Sequence, residues 1–298
     1  YALWRDTRGW PHRPTGDTAW NVPEGINPWK NSAPFSNKEI EALIEAGIAN
    51  NELIPFTPVG YSKNLVPARR LELKTPRTGS YGHCRPAHHF YVWVDQAPST
   101  LELIVTGGQV STGGRTTLRL SALEDPTGEE LARAVIPNDK QPHPVRLDTR
   151  FAGLHRVEVT TQGRAAHVRW PDGTPVVFAS SIEEPARLSH RIDMYFYVPK
   201  GTKIVGGFAD GVGSMLDGDG NRVFVFTKDK FGKGNYFAVP VAPGQDGRLW
   251  RLASSAGRRL LMTVPPYLTR GANELMLPKE AVEADAPTLP GPDIAGNP

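Results

Sequence analysis

From about residue 65 onward, apolar and polar residues alternate in short runs that turn-forming residues interrupt. Several runs place apolar side chains at every second position, the period of a β-strand with one buried and one solvated face. Gly, Pro, Asp and Asn separate the runs at intervals of about 8 to 12 residues, which is typical of antiparallel sheets. The pattern predicts strands at 89–94, 101–106, 116–121, 154–160, 165–170 and 175–179, and a second set at 193–198, 203–208, 222–227, 235–241, 248–253 and 259–264.

The first 64 residues have a different pattern. Residues 1–35 carry four tryptophans among five prolines with neither a helical nor a strand period, which predicts an extended aromatic strap. One helix is predicted at about 37–49. Ser36 and Glu39 have the spacing of a capping box there, and apolar residues then recur at helical spacing.

These patterns predict a mainly β protein with two tandem jelly-roll-like β-sandwiches, preceded by the strap and one α-helix. The predicted divisions are the strap and helix at 1–64, a first sandwich at 65–185, a second sandwich at 186–278, and a linker or tail at 279–298. The last segment is rich in Ala, Pro and Asp, a composition typical of linkers.

The two β blocks resemble one another in sequence. Each opens with an aromatic strand, contains an Asp-rich and Gly-rich turn (125–128 and 217–220), and closes with paired strands around a glycine. An internal repeat of one sandwich unit explains these features. The alternative is that any two sandwiches share such turn chemistry.

Composition excludes several classes of protein. The 298 residues are 39% hydrophobic and 22% charged, which is typical of a globular chain, and no run approaches the length of a membrane-spanning helix. The net charge of +3 is small and its basic residues are dispersed, so nucleic acid is not an expected partner. Cys84 is the sole cysteine, which rules out an internal disulfide. Because the sequence starts at Tyr1 without a leader pattern, we expect a processed or excised segment.

Four neighbouring residues could in principle bind zinc or copper: His83, Cys84, His88 and His89. Adjacent residues of a strand point to opposite faces, so His88 and His89 cannot chelate one ion together. At most two of the four could meet, and the alternative is a loop that enters the first sandwich.

A second candidate metal site has carboxylate and amide groups at alternate positions of a turn: Asp217, Asp219 and Asn221, with Asp210 as a conceivable extra ligand. This resembles the start of a calcium loop. The match then fails, since Arg222 stands where that loop needs Gly and Lys228 where it needs Glu. A hairpin turn explains the same residues without calcium or any other cofactor.

No catalytic residue is predicted. The chain has no Gly-x-Ser-x-Gly elbow, and its glycine-rich segments lack the lysine and the strand-to-helix context of a phosphate loop. Binding of sugar is more compatible with the sequence, because exposed aromatic rings flanked by polar groups can stack on the apolar faces of sugars. The candidate platforms are Trp93, Trp170, Trp250, Tyr195 and Tyr236, for each of which core packing is the alternative.

A family resemblance supports this interpretation. The aromatic strand 195–198, the Pro-Lys-Gly-Thr turn 199–202, the Asp-Gly turn 216–221 and a late Gly-containing hairpin resemble the bacterial pre-peptidase C-terminal β-sandwich. The resemblance covers residues 190–270 well and 85–180 loosely. It implies a non-catalytic jelly-roll module of the kind appended to secreted hydrolases, and it transfers no catalytic residue.

The predicted function is therefore a non-catalytic accessory or binding region, secreted or at the cell surface of a bacterium, whose partner is polysaccharide or an upstream catalytic domain. The first alternative is a structural subunit that assembles as a homo-oligomer. The second is a polysaccharide hydrolase or lyase with its cleft between the two sandwiches.

Overall fold

The computed structural model describes residues 20–21, 34–35 and 56–287, apart from 85–86, 126 and 228–234. Two short strands of the strap region, β1 (Trp20–Asn21) and β2 (Pro34–Phe35), pair antiparallel. The helix predicted at 37–49 lies outside the described residues. The prediction of a mainly β protein is confirmed, since the described chain consists chiefly of strands in several antiparallel sheets.

The strands of the N-terminal half are β3 (Leu65–Pro67), β4 (Tyr81–Cys84), β5 (Ala87–Val94), β6 (Ser99–Gly107), β7 (Arg115–Ala122), β8 (Ala132–Pro137), β9 (Pro142–Thr149), β10 (Gly153–Thr160), β11 (Ala166–Arg169) and β12 (Val176–Ala179). Those of the C-terminal half are β13 (Ala186–Val198), β14 (Ile204–Ala209), β15 (Val212–Leu216), β16 (Arg222–Phe226), β17 (Asn235–Pro240), β18 (Arg248–Leu261), β19 (Tyr267–Leu268) and β20 (Met276–Pro278).

Two antiparallel sheets form a sandwich-like body in the N-terminal half. One has the order β19-β12-β5-β10-β7-β8 and the other the order β4-β11-β6-β9. Alternate residues of both sheets, such as Val92 on β5 and Val105 on β6, are fully buried in one hydrophobic cluster. The opposite side of the four-stranded sheet therefore faces outward.

Strands β13 to β18 of the C-terminal half form a single sheet built around the long strand β18. Its order is β16-β15-β18-β14-β17, and β13 pairs with the other edge of β18. At Gly257 the backbone has a φ of 105°, and a Cβ there would overlap the carbonyl oxygen of Asp210. The single sheet of β13 to β18 differs from the two facing sheets of the first half. Strand pairing therefore does not support the predicted internal repeat.

The two halves share their core. Phe178 of β12 and Leu268 of β19 are hydrogen-bonded neighbours, and both belong to the cluster that also contains Phe196 and Trp250. Strand β20 near the C-terminus pairs with β3 at the start of the first half. The hydrophobic contacts are therefore continuous across the predicted boundary at 185/186.

The residues after β20 form a helix where a linker was expected. Helix α1 (Lys279–Asp285) buries Ala281 and Val282 against the body of the protein. Asp285 accepts hydrogen bonds from the Tyr197 hydroxyl and the Lys200 backbone N–H, each at 2.8 Å. The linker prediction is thus wrong for 279–285, because two apolar side chains and one anchored carboxylate hold this segment in place.

Candidate functional site

The outward face of the four-stranded sheet carries an open groove of about 800 Å³. Its floor follows from strand alternation, which turns Glu102 and Ile104 of β6 away from the core. In the antiparallel register Glu102 stands opposite Arg146, and Ile104 opposite Pro144. On the other side of β6, Arg169 of β11 is also the partner of Ile104. A row of polar and apolar side chains therefore crosses three strands.

One wall of the groove is the segment that follows β11, held by Arg77. Arg77 donates to the backbone carbonyl of Trp170 at 3.0 Å and makes an ion pair with Asp172. Its Nε also donates to the buried carboxylate of Glu274 at 2.8 Å. Arg77 thus connects the groove wall to the protein interior.

The groove carries more basic than acidic groups. Arg77, Arg146 and Arg169 line it together with Glu102 and Asp172, so three positive and two negative groups leave +1. Arg146 pairs with Glu102 at 2.7 Å, whereas Arg169 has no carboxylate partner among the described residues. Its guanidinium is the group of the groove most available to a ligand.

A second hollow of about 470 Å³ adjoins the same sheet face and is lined by Thr78, Gly79, Ser80, His167, Arg191, Ile192 and Asp193. His167 and Arg169 are two residues apart on β11 and share its outward face. The groove extends from β11 over β6 and β9, whereas the second hollow is lined by residues just before β4, on the other side of β11. Asp193 accepts from the Ser254 backbone N–H at 2.7 Å and lies 3.7 Å from Arg251. Arg191 is exposed and has no carboxylate partner in the described part of the chain.

Three of the five aromatic residues expected as exposed platforms are buried. Trp170, Trp250 and Tyr195 are 1%, 0% and 6% exposed. Trp250 packs against Phe196 and donates its indole N–H to the carbonyl of Gln245 at 2.8 Å. These rings fill the core, so in this structure they cannot stack on a ligand; Trp170 contributes to the groove only as part of its wall.

The other two aromatic candidates are partly buried and lie away from the groove. Trp93 donates its indole N–H to Asp95 at 3.2 Å. Tyr236 packs edge-on against Phe56 and Phe208, and burial raises the pKa of its hydroxyl. Neither residue contributes to the groove lining.

The proposed calcium loop is stabilised by its own hydrogen bonds. Asp217 Oδ1 accepts from the backbone N–H groups of Asp219 and Asn221, at 3.0 and 2.9 Å. Asp219 accepts from Arg248 and Gln245, each at 2.6 Å, and the hydrogen bond from Arg248 is the main cause of its lowered pKa. The carboxylates therefore stabilise the hairpin turn. No group of three or more His, Cys, Asp or Glu suited to a metal occurs among the described residues.

The two adjacent histidines of the first metal candidate point to opposite faces of β5, as strand alternation predicts. His88 packs among the rings of Phe90 and Phe178, and burial lowers its pKa to about 4. His89 lies on the other face of β5, where its Nε2 is 2.8 Å from Arg156. Cys84 is buried, which raises the pKa of its thiol.

A polar network surrounds His89, and no sequence motif predicts it. Glu184 accepts from the Tyr91 hydroxyl at 2.7 Å, and His89 Nδ1 is 3.7 Å from the Glu184 carboxylate. Burial raises the pKa of Glu184, but the nearby His89 imidazole and the hydrogen bond from Tyr91 outweigh it and bring the pKa to about 2. Arg156 contacts the other imidazole nitrogen of His89, so each polar group of the network has a hydrogen-bonding or charged partner. The network stabilises the outer face of the six-stranded sheet.

Comparisons with known proteins identify no relative. No family model matches the chain, and neither a curated protein nor a solved structure is significantly similar to it. Among the described residues, no helix has both the length and the apolar character needed to span a bilayer. Any functional conclusion therefore depends on the site itself.

Proposed function

We propose that this chain is a non-catalytic glycan-binding region of a secreted bacterial protein, and that the groove on the four-stranded sheet holds an extended polysaccharide chain. The role as accessory to a carbohydrate-active partner belongs to the same proposal. The observation that carries it is the groove, whose open position on a sheet face suits a polymer better than a small enclosed ligand.

The lining has the chemical character that a sugar chain requires. Sugar rings have apolar C–H faces and a rim of hydroxyl groups, so a complementary surface combines apolar patches with hydrogen-bonding side chains. Ile104 (36% exposed), Pro144 and Pro171 supply the apolar patch. Glu102 accepts and Arg146 donates hydrogen bonds at the rim, and their mutual ion pair fixes both side chains before a ligand arrives.

A panel of soluble polysaccharides, measured by calorimetry against the purified chain, tests the proposal. We expect at least one polymer to bind, and Ile104→Ser to weaken it roughly tenfold through loss of apolar contact. Val135→Ser is the matched control, since Val135 is a 44% exposed valine on β8 in the other sheet. Absence of binding across the panel, or equal effects of the two variants, contradicts the proposal. Release of new reducing ends supports a hydrolase instead.

Self-assembly is a second candidate, supported by strand β16. This strand lies at the edge of its sheet, with Val223 and Val225 36% and 50% exposed. An exposed apolar edge strand can pair with another chain. Sedimentation analysis of the oligomeric state tests this candidate. It is supported if the chain assembles and Val225→Lys abolishes the assembly. It is ruled out if the chain is a monomer at all concentrations.

A further inference from the structure

We infer that the groove selects acidic polysaccharide, and that Arg169 binds a carboxylate or sulfate group of the sugar chain. This inference depends on the proposed function and specifies its ligand class. It follows from the distribution of paired and unpaired charges on the outward face of the four-stranded sheet.

The acidic groups of the groove are already neutralised by neighbours. Glu102 is paired with Arg146 at 2.7 Å, and Asp172 is paired with Arg77. Arg169, at the β11 end of the row, has no such partner among the described residues. An incoming anion therefore meets an unpaired guanidinium, and it does not have to displace a resident carboxylate from that group.

Arginine is the side chain best suited to this task. Its planar guanidinium binds carboxylate or sulfate with two parallel hydrogen bonds, and such charge-assisted bonds are about twice as strong as neutral ones. Arg169 is exposed at the end of β11, directly beside the apolar floor at Ile104. A sugar ring that packs on Ile104 can thus place an acidic substituent against Arg169.

The spacing of the basic groups suits a polymer. Arg169 on β11 and Arg146 on β9 are two strands apart, which corresponds to about 10 Å across the sheet. In the adjoining hollow, Arg191 is a second exposed arginine without a carboxylate partner in the described part of the chain. Basic groups therefore recur along the sheet face at distances that successive charged sugars of one chain can span.

Two polysaccharides that differ only in their carboxylate charge show how much that charge contributes to binding. Polygalacturonate and its fully methyl-esterified form share one backbone, and the carboxylate is present in the first and blocked in the second. We expect the acid form to bind at least tenfold more tightly at low salt, and added salt to reduce this difference by screening. Arg169→Ala should weaken binding of the acid form about tenfold or more and leave the ester unaffected.

Arg133→Ala is the control variant, because Arg133 is also exposed but lies on β8 of the other sheet. Circular dichroism of both variants checks that each is folded. Polyglutamate, a polyanion without sugar rings, tests whether negative charge alone is enough for binding to the groove.

Each outcome decides the question. The inference is supported if the chain prefers the acid form, if Arg169→Ala loses this preference, and if Arg133→Ala keeps it. Equal affinity for acid and ester overturns the acid selectivity and leaves the glycan-binding proposal standing. Equal binding of polyglutamate shows a general polyanion surface and also overturns the inference. Failure of every polysaccharide, charged and neutral, contradicts the proposed function itself.

Discussion

Replacement of Glu274 should cost far more stability than replacement of an exposed glutamate. Glu274 lies in a 3₁₀ turn (Ala272–Glu274) and its side chain is 2% exposed. It accepts two hydrogen bonds from the equally buried Arg270, at 2.8 and 3.1 Å, and one from Arg77 at 2.8 Å. The Arg270 guanidinium also lies 4.5 Å from the ring centre of Tyr81.

The magnitude follows from the charge that would be left behind. In Glu274→Gln, the buried Arg270 guanidinium loses its counter-charge. Removal of one partner from a buried ion pair typically costs about 3–5 kcal/mol. We therefore expect the unfolding free energy to fall by about 3 kcal/mol or more, measured by urea denaturation.

Two further variants separate this explanation from a general sensitivity to substitution. Glu283→Gln removes an exposed carboxylate 3.7 Å from Lys279 and should cost less than about 0.5 kcal/mol. The double variant Arg270→Met/Glu274→Leu removes both charges together and should cost less than Glu274→Gln alone. The reasoning is refuted if Glu274→Gln is no more harmful than Glu283→Gln.

Two other predictions concern a buried imidazole and a crowded glycine. Burial holds the pKa of His88 at about 4, below its ordinary 6.5, so the neutral form stabilises the fold above pH 6.5 and this contribution is lost as the pH falls from 6.5 to 4. His88→Gln should reduce the fall in unfolding free energy across that interval by about 3 kcal/mol, because a shift of this size is worth about 1.4 kcal/mol per pKa unit; an unchanged fall contradicts the assignment. Gly257→Ala should lower stability by about 2 kcal/mol more than Gly220→Ala, measured by thermal denaturation. Both glycines have positive φ, but a Cβ overlaps the Asp210 carbonyl only at Gly257, so equal losses would contradict this reasoning.

The strands could be predicted wherever one face of the strand is buried and the other is exposed to solvent. Strand β6 alternates strictly, and its outward residues Glu102 and Ile104 are those that line the groove. Strand β9 was missed because Pro142 and Pro144 interrupt its pattern. It lies at the edge of the four-stranded sheet, a position that tolerates proline because one side of the strand forms no ladder hydrogen bonds there.

The candidate site could not be predicted, because its parts come from distant positions. Arg77 meets Asp172 and Glu274 across 95 and 197 residues, and no local pattern records such a contact. The burial of three aromatic candidates could not be predicted for a related reason. Trp170 ends a strand before a turn, where the sequence allows either exposure or burial, and packing against Phe90 buries its ring.

The most direct test of the account is the methyl NMR spectrum of the chain during titration with the polysaccharide that it binds. The Ile104 methyl lies on the groove floor, whereas the Ile136 side chain is 6% exposed in the core. We expect the Ile104 resonance to shift in proportion to occupancy while the Ile136 resonance stays in place. A saturating ligand that leaves Ile104 unmoved and instead shifts the exposed valines of β8 or β16 would contradict it.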